Sequence, residues 1–176
     1  MKIVFLLLAL ALAAPLAAQE KCVLALKDAP PLLNLRLGMS PAEARAALGN
    51  SLKINVKKEG TFFQNFINKP APAPLAGVRA LYLRFFDRRL FQIEVFYENR
   101  AERPTLEQFA ADLKTSLNLQ NAAWALENNR QILNCGEFSL AADNVLNPRV
   151  ELTDEIARAR FLQAQEAERL KNKKGN

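Results

Sequence analysis

Hydrophobic and polar residues alternate most regularly over residues 80–98, which read ALYLRFFDRRLFQIEVFYE. The apolar positions fall on one face of each half: Leu81, Leu83 and Phe85 before the turn, and Phe91, Ile93, Val95 and Tyr97 after it. Alternation with a period of two is typical of half-buried strands, so the pattern predicts a β-hairpin. A tight two-residue turn prefers glycine, and residues 87–89 contain none. We therefore expect either a longer turn or backbone strain at Arg88.

Shorter segments flank this hairpin on both sides. Residues 52–57 alternate as a strand does, and we expect them to pair with residues 61–67 across Glu59 and Gly60. The prolines of residues 69–74 predict an extended surface loop, with a polyproline ligand as the functional alternative. Further strands are predicted at residues 122–126, 131–135, 137–142 and 149–152, with turns at 128–129, at Gly136 and at 143–144.

Residues 35–49, LRLGMSPAEARAALG, contain the signals that begin and end a short helix. Ser40 is a favoured N-cap, Pro41 suits the first helical position, and Glu43 completes a capping box. The alanines that follow are strong helix formers, and Gly49 can adopt the left-handed conformation that ends a helix. A helix of about eight residues is marginal alone, so these caps compensate for its length.

Two more helices are predicted nearer the C-terminus. The first begins at Thr105 with Gln108 closing a capping box, and its apolar residues recur at helical spacing: Leu106, Phe109, Ala110, Leu113 and Leu117. The second is capped by Thr153 and has acidic residues at its start and lysines at its end. Its apolar stripe is thin, comprising Ile156, Ala159, Ala167 and Leu170. We interpret it as a solvated helix with a frayed tail, and a partner-binding helix is the alternative.

This order of elements predicts an α+β fold, in which short helices pack on an antiparallel sheet. A helix followed by antiparallel strands occurs twice, so residues 35–98 and 104–152 are candidate helix-plus-sheet units in tandem. We assign residues 1–18 to a signal peptide, residues 19–153 to a single α+β domain, and residues 154–176 to the C-terminal helix and basic tail.

The first residues have the organisation of a secretory signal. Lys2 supplies the positive start, residues 3–12 form the apolar stretch, and small residues lead to a cleavage site near Ala18. We therefore expect a periplasmic or secreted protein. The apolar stretch is too short to span a bilayer, and we expect no transmembrane segment in the mature chain. Residues 19–21 read QEK, unlike the small or aliphatic residues that precede a lipidated cysteine, so we expect no lipid anchor at Cys22.

Cys22 and Cys135 are the two cysteines of the chain. An even count and an oxidising compartment favour a disulfide between them. The bridge would close a loop of roughly 100 residues, a constraint that the chain-entropy model values at about 4–5 kcal/mol. Two inert thiols are the alternative, and redox chemistry is not favoured because the chain has no Cys-x-x-Cys spacing.

One motif resembles a known family. Residues 37–43, LGMSPAE, with Leu48 and Gly49 after them, resemble the LGMT-xx-E-x-x-x-LLG signature that opens small envelope domains of the SmpA/OmlA (BamE) kind. The β-lactamase-inhibitor-like fold is similar, since it uses related helix-plus-sheet units, sometimes in tandem. The resemblance implies a small envelope domain, and the whole chain resembles uncharacterised secreted bacterial proteins. Because the matched positions are structural, the resemblance carries over no functional residue.

The composition narrows the available chemistry. The chain has no histidine, so it lacks the usual general base and the commonest zinc ligand. Its glycines form no phosphate-binding motif. We expect a non-enzymatic protein without catalytic, cofactor or metal sites, and a carboxylate-based hydrolase is the enzymatic alternative. Glu94 and Glu98 share one predicted strand face, and we interpret them as solvated surface charges.

Basic and aromatic residues interleave along the predicted hairpin, and the formal net charge of the chain is +6. Such a pattern can bind nucleic acid, but export separates the protein from most nucleic acid, so we expect no such partner. We predict instead a contact surface for another envelope or secreted protein, comprising Arg84, Phe86, Arg88, Arg89 and Phe96. An anionic envelope surface that meets the basic hairpin tip is an alternative. The predicted function is an exported protein-binding or envelope-associated module, with a secreted enzyme inhibitor as a further alternative; the sequence does not predict the oligomeric state.

Overall fold

A computed structural model describes residues 22–56, 58–98 and 105–174. Its α-helices are α1 (Pro41–Ala47), α2 (Leu106–Ser116) and α3 (Glu155–Lys174). Its strands are β1 (Gly60–Asn65), β2 (Val78–Phe86), β3 (Arg89–Tyr97), β4 (Ala125–Glu127), β5 (Arg130–Asn134), β6 (Phe138–Asp143) and β7 (Arg149–Asp154). Within these described ranges, every helix is too short or too polar to cross a bilayer. The predicted signal peptide and its cleavage site lie outside the described residues.

The seven strands form one antiparallel sheet in the order β1-β2-β3-β7-β6-β5-β4. This architecture confirms the predicted α+β class. We call α1 with β1–β3 the first unit and α2 with β4–β7 the second unit. The units meet where β3 pairs with β7, so the last strand of each unit forms the junction.

One face of the sheet carries the hydrophobic core. A row of fully buried side chains crosses five strands on this core face: Leu83, Ile93, Leu152, Leu140 and Leu133. The helices α1 and α2 cover it, since Ala44 and Leu48 of the α1 region and Phe109 of α2 belong to the same buried cluster. Burying each large apolar side chain contributes about 1.5–3 kcal/mol relative to exposure, so this row holds both units together. The opposite side is the outer face, and α3 packs on it.

The helix α1 has the ends that the sequence predicts. Ser40 Oγ accepts a hydrogen bond from the Glu43 amide at 3.3 Å, and Glu43 Oε2 accepts one from the Ser40 amide at 2.7 Å. After the helix, Gly49 adopts a φ of +66°, and the Asn50 amide donates to the Arg45 carbonyl at 2.9 Å. Together with the bond from the Gly49 amide to the Ala46 carbonyl at 2.9 Å, this bond forms a Schellman motif, which satisfies carbonyls at the end of the helix.

The residues before α1 also bind the sheet. The Gly38 amide donates to the Leu90 carbonyl at 2.7 Å, and the Leu90 amide donates to the Met39 carbonyl at 2.8 Å. Arg89 Nη1 donates to the Gly38 carbonyl at 2.9 Å. The motif at residues 37–43 therefore fixes the start of α1 to the first residues of β3, besides capping the helix.

The turn of the β2–β3 hairpin is shorter than the longer turn that was one of the two predicted alternatives. Asp87 and Arg88 form a two-residue turn with φ values of +46° and +61°, and Phe86 pairs with Arg89. The longer turn is therefore wrong, and the structure takes the other alternative, a strained Arg88. A turn of this kind matches the right-handed twist of the flanking strands, even where no glycine is present.

A β-bulge changes the register beyond this turn. The pairing shifts between Arg84 and Phe85, so that Leu90 lies opposite Phe85 and enters the core. Phe91 is the extra residue and turns to the outer face, where its ring centroid lies 5.1 Å from that of Phe161 in α3. The prediction that Phe91 shares a face with Ile93 is wrong, because a bulge inserts one residue and so shifts the alternation.

The predicted strand at residues 52–57 is also wrong. Leu52 and Ile54 are buried as the alternation predicts, but residues 52–56 form no strand. Residues 61–65 pair with β2 instead, and Lys57 lies outside the described residues. Because side-chain burial alone produces the alternation, a loop segment that packs on the core can have the same pattern as a paired strand.

The second unit follows its predicted elements closely. Asn128 and Asn129 have φ values of +48° and +60° and connect β4 to β5, although β4 is shorter than predicted. At the start of α2, Thr105 Oγ1 accepts a hydrogen bond from the Gln108 amide at 3.1 Å, which is one of the two bonds of the predicted capping box. The predicted apolar face of α2 is buried at Leu106, Phe109, Ala110 and Leu113.

The start of α3 differs from the prediction. Asp154 Oδ1 accepts a hydrogen bond from the Ala157 amide at 2.8 Å, so Asp154 and not Thr153 is the cap. Thr153 is fully buried in β7, which continues to pair with β6 through Asp154. Phe161, which the predicted stripe omitted, packs against Phe86 with ring centroids 5.8 Å apart. The stripe residues Ile156 and Leu170 are exposed, as expected for a solvated helix.

The predicted disulfide between Cys22 and Cys135 is present, with the two Cα atoms 4.5 Å apart. It joins residues separated by 113 positions and fixes the N-terminal segment beside the β5–β6 turn. The Leu26 amide donates to Glu137 Oε2 at 2.6 Å in the same region. A disulfide of this kind is typical of proteins in oxidising compartments.

Candidate functional site

The outer face carries two side-chain clusters. The ionic network comprises Glu94, Arg130, Asp143, Arg149 and Glu151. The aromatic strip comprises Phe63, Tyr82 and Phe96. The registers of β1–β2, β2–β3 and β3–β7 place these residues in two adjacent rows, because Phe63 lies opposite Tyr82, Tyr82 opposite Glu94, and Phe96 opposite Arg149.

Three carboxylates and two guanidinium groups alternate in the ionic network. Arg149 Nη2 lies 2.5 Å from Asp143 Oδ2, and Arg149 Nη1 lies 2.7 Å from Glu94 Oε1. Arg130 Nη2 lies 3.0 Å from Glu151 Oε2, and Arg130 Nε lies 3.4 Å from Asp143 Oδ2, which is ion-pair distance. The network therefore crosses the junction of the two units, since Glu94 belongs to β3 and Arg149 to β7.

Partial burial strengthens these contacts. Burial alone would lower the pKa of the Arg149 guanidinium, but the hydrogen bond and charge of Asp143, with those of Glu94, outweigh it and raise the pKa. Arg149 therefore remains cationic at any pH at which the protein is folded. Removing one member of such a network leaves the opposite charges half-buried without a partner, which is destabilising.

The network is poorly suited to the hydrolase alternative. Each of its three carboxylates accepts from an arginine, whereas acid–base catalysis by a carboxyl pair needs one group free to donate a proton. The interpretation of Glu94 as a solvated charge is wrong, because its side chain is only 13% exposed and is paired with Arg149. Within the described residues, no group of three or more ligating side chains is placed to hold a metal ion.

The aromatic strip runs from the sheet edge to the junction. The rings of Phe63 and Tyr82 stack with centroids 4.3 Å apart, and those of Tyr82 and Phe96 are 5.7 Å apart. Arg149 Cζ lies 5.7 Å from the centre of the Phe96 ring, so the strip contacts the ionic network through a cation–π pair. Phe63 is 47% exposed, and the other two rings are half-buried. The strip is thus an aromatic surface held in place by the sheet.

An apolar loop adjoins the inner end of the strip. Val145 and Leu146, in the β6–β7 loop, are 70% and 83% exposed. They line a shallow groove together with Phe96 and Arg149. Large apolar side chains this exposed are informative when they lie beside further exposed rings, because monomeric proteins rarely display contiguous apolar patches without a contact role.

The structure separates the predicted contact residues into two groups. Arg84, Phe86 and Phe96 lie on the outer face, and Arg84 is exposed. Phe96 is part of the aromatic strip. Phe86 is partly covered, because Phe161 of α3 packs edge-on against its ring. The helix α3 therefore covers part of the predicted contact surface at Phe86.

The other two predicted residues lie at the hairpin tip. Arg88 and Arg89 are exposed, and they border a shallow depression that also includes Ser40 and Glu43. Arg89 binds the Gly38 carbonyl, as described above, so it helps to fix the start of α1. The tip and the aromatic strip are thus different surfaces, and the sequence had grouped them as one.

Most residues of the ionic network, and Phe63 at the edge of the aromatic strip, were not predicted from the sequence. Arg149, Glu151 and Thr153 alternate with buried apolar residues along β7, and this period of two could have placed them on one face. Which strand lies beside β7 depends on the sheet order, and the local sequence carries no signal for that order. Phe63 was missed because residues 61–67 were assigned a different partner strand.

Comparison of the chain with protein-family models, with curated proteins and with solved structures finds no match. The resemblance of residues 37–43 to the SmpA/OmlA (BamE) signature therefore stays a prediction.

Proposed function

We propose that this chain is an exported, non-enzymatic protein-binding module whose outer sheet face contacts another envelope or secreted protein. The observation that carries the proposal is the aromatic strip, in which Phe63 stacks on Tyr82, Tyr82 contacts Phe96, and Phe63 is about half exposed. Aromatic side chains are enriched in interfaces, where they bury large areas at low cost in conformational entropy.

The surroundings of the strip support a protein partner. Val145 and Leu146 extend the apolar area at one end, and the exposed Arg84 adds a cationic side chain on the same face. Interfaces typically combine an aromatic centre with arginine and a polar rim. The ionic network supplies that rim, because its charges are already paired before a partner binds.

Export supports the choice of compartment. The predicted signal peptide would place the mature chain outside the cytoplasm, and the disulfide between Cys22 and Cys135 suits an oxidising environment. We therefore expect the partner among periplasmic, surface or secreted proteins. The engaged carboxylates of the ionic network support a non-enzymatic role.

Site-specific photo-crosslinking in the native host tests this proposal. A photoreactive residue at Tyr82 reports on the aromatic strip, and the same residue at Leu126 is the control, since Leu126 is 63% exposed in β4 at the opposite edge of the sheet. We expect a discrete adduct with one envelope or secreted protein from position 82 and none from position 126. Equal adducts from both positions, or none from position 82, would contradict the proposal.

The captured partner then allows a binding measurement. Tyr82→Ser and Phe96→Ser should each raise the Kd at least tenfold, because aromatic anchors at interface centres contribute more than 1 kcal/mol. Leu126→Ser should leave the Kd within twofold. A partner that binds the Tyr82→Ser and wild-type proteins equally well would place the contact elsewhere.

A further inference from the structure

The strand β1 forms one edge of the sheet. Its backbone pairs with β2 over residues 60–65, and within the described residues no backbone hydrogen bond joins its other side to a second strand. The Phe66 amide donates to the Arg79 carbonyl at 2.8 Å, and this bond fixes which groups face β2. In an antiparallel pair the bonded residues alternate, so Phe62 and Gln64 face β2, while Thr61, Phe63 and Asn65 direct their backbone groups outward.

A side chain confirms this orientation. Gln64 Nε2 donates to the Asn65 carbonyl at 2.8 Å, so that carbonyl is directed away from β2 and is satisfied locally. The outward groups of Thr61 and Phe63 have no such substitute among the described residues. An open edge of this kind can accept another strand.

The composition of β1 is unusual for an exposed edge. Residues 60–65 read GTFFQN and carry no charge, whereas natural edges are commonly protected by lysine, proline or a bulge. The nearest charged residues are Lys58 and Glu59 on one side and Lys69 on the other. The opposite edge, β4, is only three residues long and includes Glu127.

We propose that β1 pairs in antiparallel fashion with β1 of a second copy of this chain, about a two-fold axis at Phe63. The outward residues then face each other: Phe63 opposite Phe63, and Thr61 opposite Asn65 of the other copy. This register joins the two sheets and continues the aromatic strip from one copy into the other. The proposal goes beyond the proposed function, because it uses the backbone edge of the sheet and not its outer face.

Self-complementarity favours a second copy over an unrelated strand. A two-fold interface brings each residue against its own counterpart or its mirror position, so a charged edge would repel itself in a chain with a formal net charge of +6. The six residues of β1 are uncharged and avoid that repulsion, and among the outward residues Phe63 meets Phe63 while Thr61 meets Asn65. The junction of β3 with β7 shows the same antiparallel joining of two units within one chain.

Cysteine crosslinking tests the register. The proposed pairing places Phe62 opposite Gln64 of the other copy, with the short Cα separation of about 4.5 Å that suits a disulfide. A mixture of Phe62→Cys and Gln64→Cys proteins should therefore form a disulfide-linked dimer under mild oxidation, while each variant alone should not. The native cysteines do not interfere, because they are bonded to each other. Equal crosslinking by either variant alone would overturn the register.

Sedimentation equilibrium tests the association itself. The wild-type mass should rise toward twice the monomer mass with concentration, and Phe63→Lys should raise the dimer Kd at least tenfold by placing like charges opposite each other. Thr61→Pro, which removes an outward donor and no bond to β2, should do the same in a protein whose thermal unfolding shows that it is folded. Leu126→Ser, at the opposite edge of the sheet, should keep the wild-type dimer Kd. A wild-type protein that stays monomeric at hundreds of micromolar would overturn the proposal.

Discussion

The first unit and the second unit share one order of elements, a helix followed by an antiparallel meander, but their outermost strands differ. In the second unit, β4 covers the edge of β5. In the first unit, residues 52–56 precede β1 as β4 precedes β5, but they form no strand and leave β1 with one partner. The sheet therefore ends in the three-residue strand β4 at one edge and in the six-residue strand β1 at the other.

The turn residues explain this difference. Asn128 and Asn129 both adopt positive φ, which asparagine tolerates well, and they reverse the chain in two residues. Lys58 and Glu59, at the corresponding place, do not have positive φ. The Lys58 carbonyl instead accepts a hydrogen bond from the Arg88 amide at 2.7 Å, which binds this loop to the β2–β3 turn. Alternation of apolar residues thus produces a strand only where the turn beside it permits pairing.

The two units also differ in how their surfaces are used. The second unit contains the disulfide partner Cys135 and four of the five residues of the ionic network, so it is the more strongly fixed half. The first unit carries Phe63 and Tyr82 of the aromatic strip and the open edge of β1. We infer that the second unit provides rigidity and that the first unit provides the contact surfaces.

Removing the disulfide should give the largest effect on stability. The Cys22→Ser/Cys135→Ser double variant should lose about 4 kcal/mol of unfolding free energy, because the bridge closes a loop of 113 residues in the unfolded chain. Guanidinium denaturation of the oxidised wild type and the double variant measures the difference. A loss below about 1 kcal/mol would mean that the bridge does not fix the second unit.

Breaking the ionic network should have the next largest effect. Arg149→Met should cost about 2–3 kcal/mol, less than for a fully buried pair, because Asp143 and Glu94 keep half-buried charges without their partner. Arg84→Met, an exposed arginine on the same face in the first unit, is the matched control and should change stability by less than about 0.5 kcal/mol. Equal losses in the two variants would remove the distinction between the units.

The two hairpin turns allow a direct comparison of backbone strain. Arg88 and Asn129 have almost the same φ, +61° and +60°, but an arginine pays more for this conformation than an asparagine does. Arg88→Gly should therefore stabilise the protein by about 1 kcal/mol, and Asn129→Gly by only a few tenths. Urea unfolding of both variants measures this, and a larger gain at Asn129 would contradict the assignment of strain to the first unit.

The helix caps should give the smallest effect, and it should depend on pH. Hydrogen bonding with the Ser40 backbone amide, and secondly with the Ser40 side chain, lowers the pKa of the Glu43 carboxyl below its ordinary 4.5. A carboxyl with a lowered folded-state pKa adds stability that is present above its unfolded pKa and is lost as the pH falls through the folded value. The corresponding residue of α2 is Gln108, which does not titrate.

The variant Glu43→Gln therefore gives the α1 cap the same uncharged side chain that α2 has at Gln108. The wild type should exceed this variant in unfolding free energy by a constant amount above about pH 5, and the excess should shrink as the pH falls below 4.5. Denaturant unfolding between about pH 3 and pH 7 measures this. An excess that grows toward low pH would have the wrong sign for a capping carboxylate.

Local chemistry predicted both ends of α1 and the disulfide, whereas the cap of α3 is Asp154 and not the predicted Thr153. Ser40, Glu43 and Gly49 act as their side chains and backbone preferences require, and Cys22 bonds to Cys135 because the chain holds one cysteine pair. The hairpin at residues 80–98 was predicted for the same reason, since its alternation is local. Its bulge at Phe91 was not, because the extra residue depends on how Leu90 fits the core and binds the backbone of residues 38–39.

The candidate site was predicted less well, because it depends on strand order. Phe96 and Arg84 were placed on the outer face by alternation alone. The pairing of Arg149 with Glu94 requires β7 to lie beside β3, and the two strands are more than 50 positions apart in the chain. Phe161 was missed as the cover of Phe86 because α3 contacts the sheet through few residues, and so its pattern is that of a solvated helix.

Amide hydrogen exchange along β1 tests most directly whether the first unit is left open for contact. At low protein concentration, the account predicts alternation within this one strand: the amides of Phe62 and Gln64 are protected by β2, and those of Thr61 and Phe63 exchange rapidly. Residues 130–132 of β5, which has a strand on both sides, should show no such alternation. Protection of Thr61 and Phe63 equal to that of Phe62 and Gln64 in the dilute monomer would contradict the account.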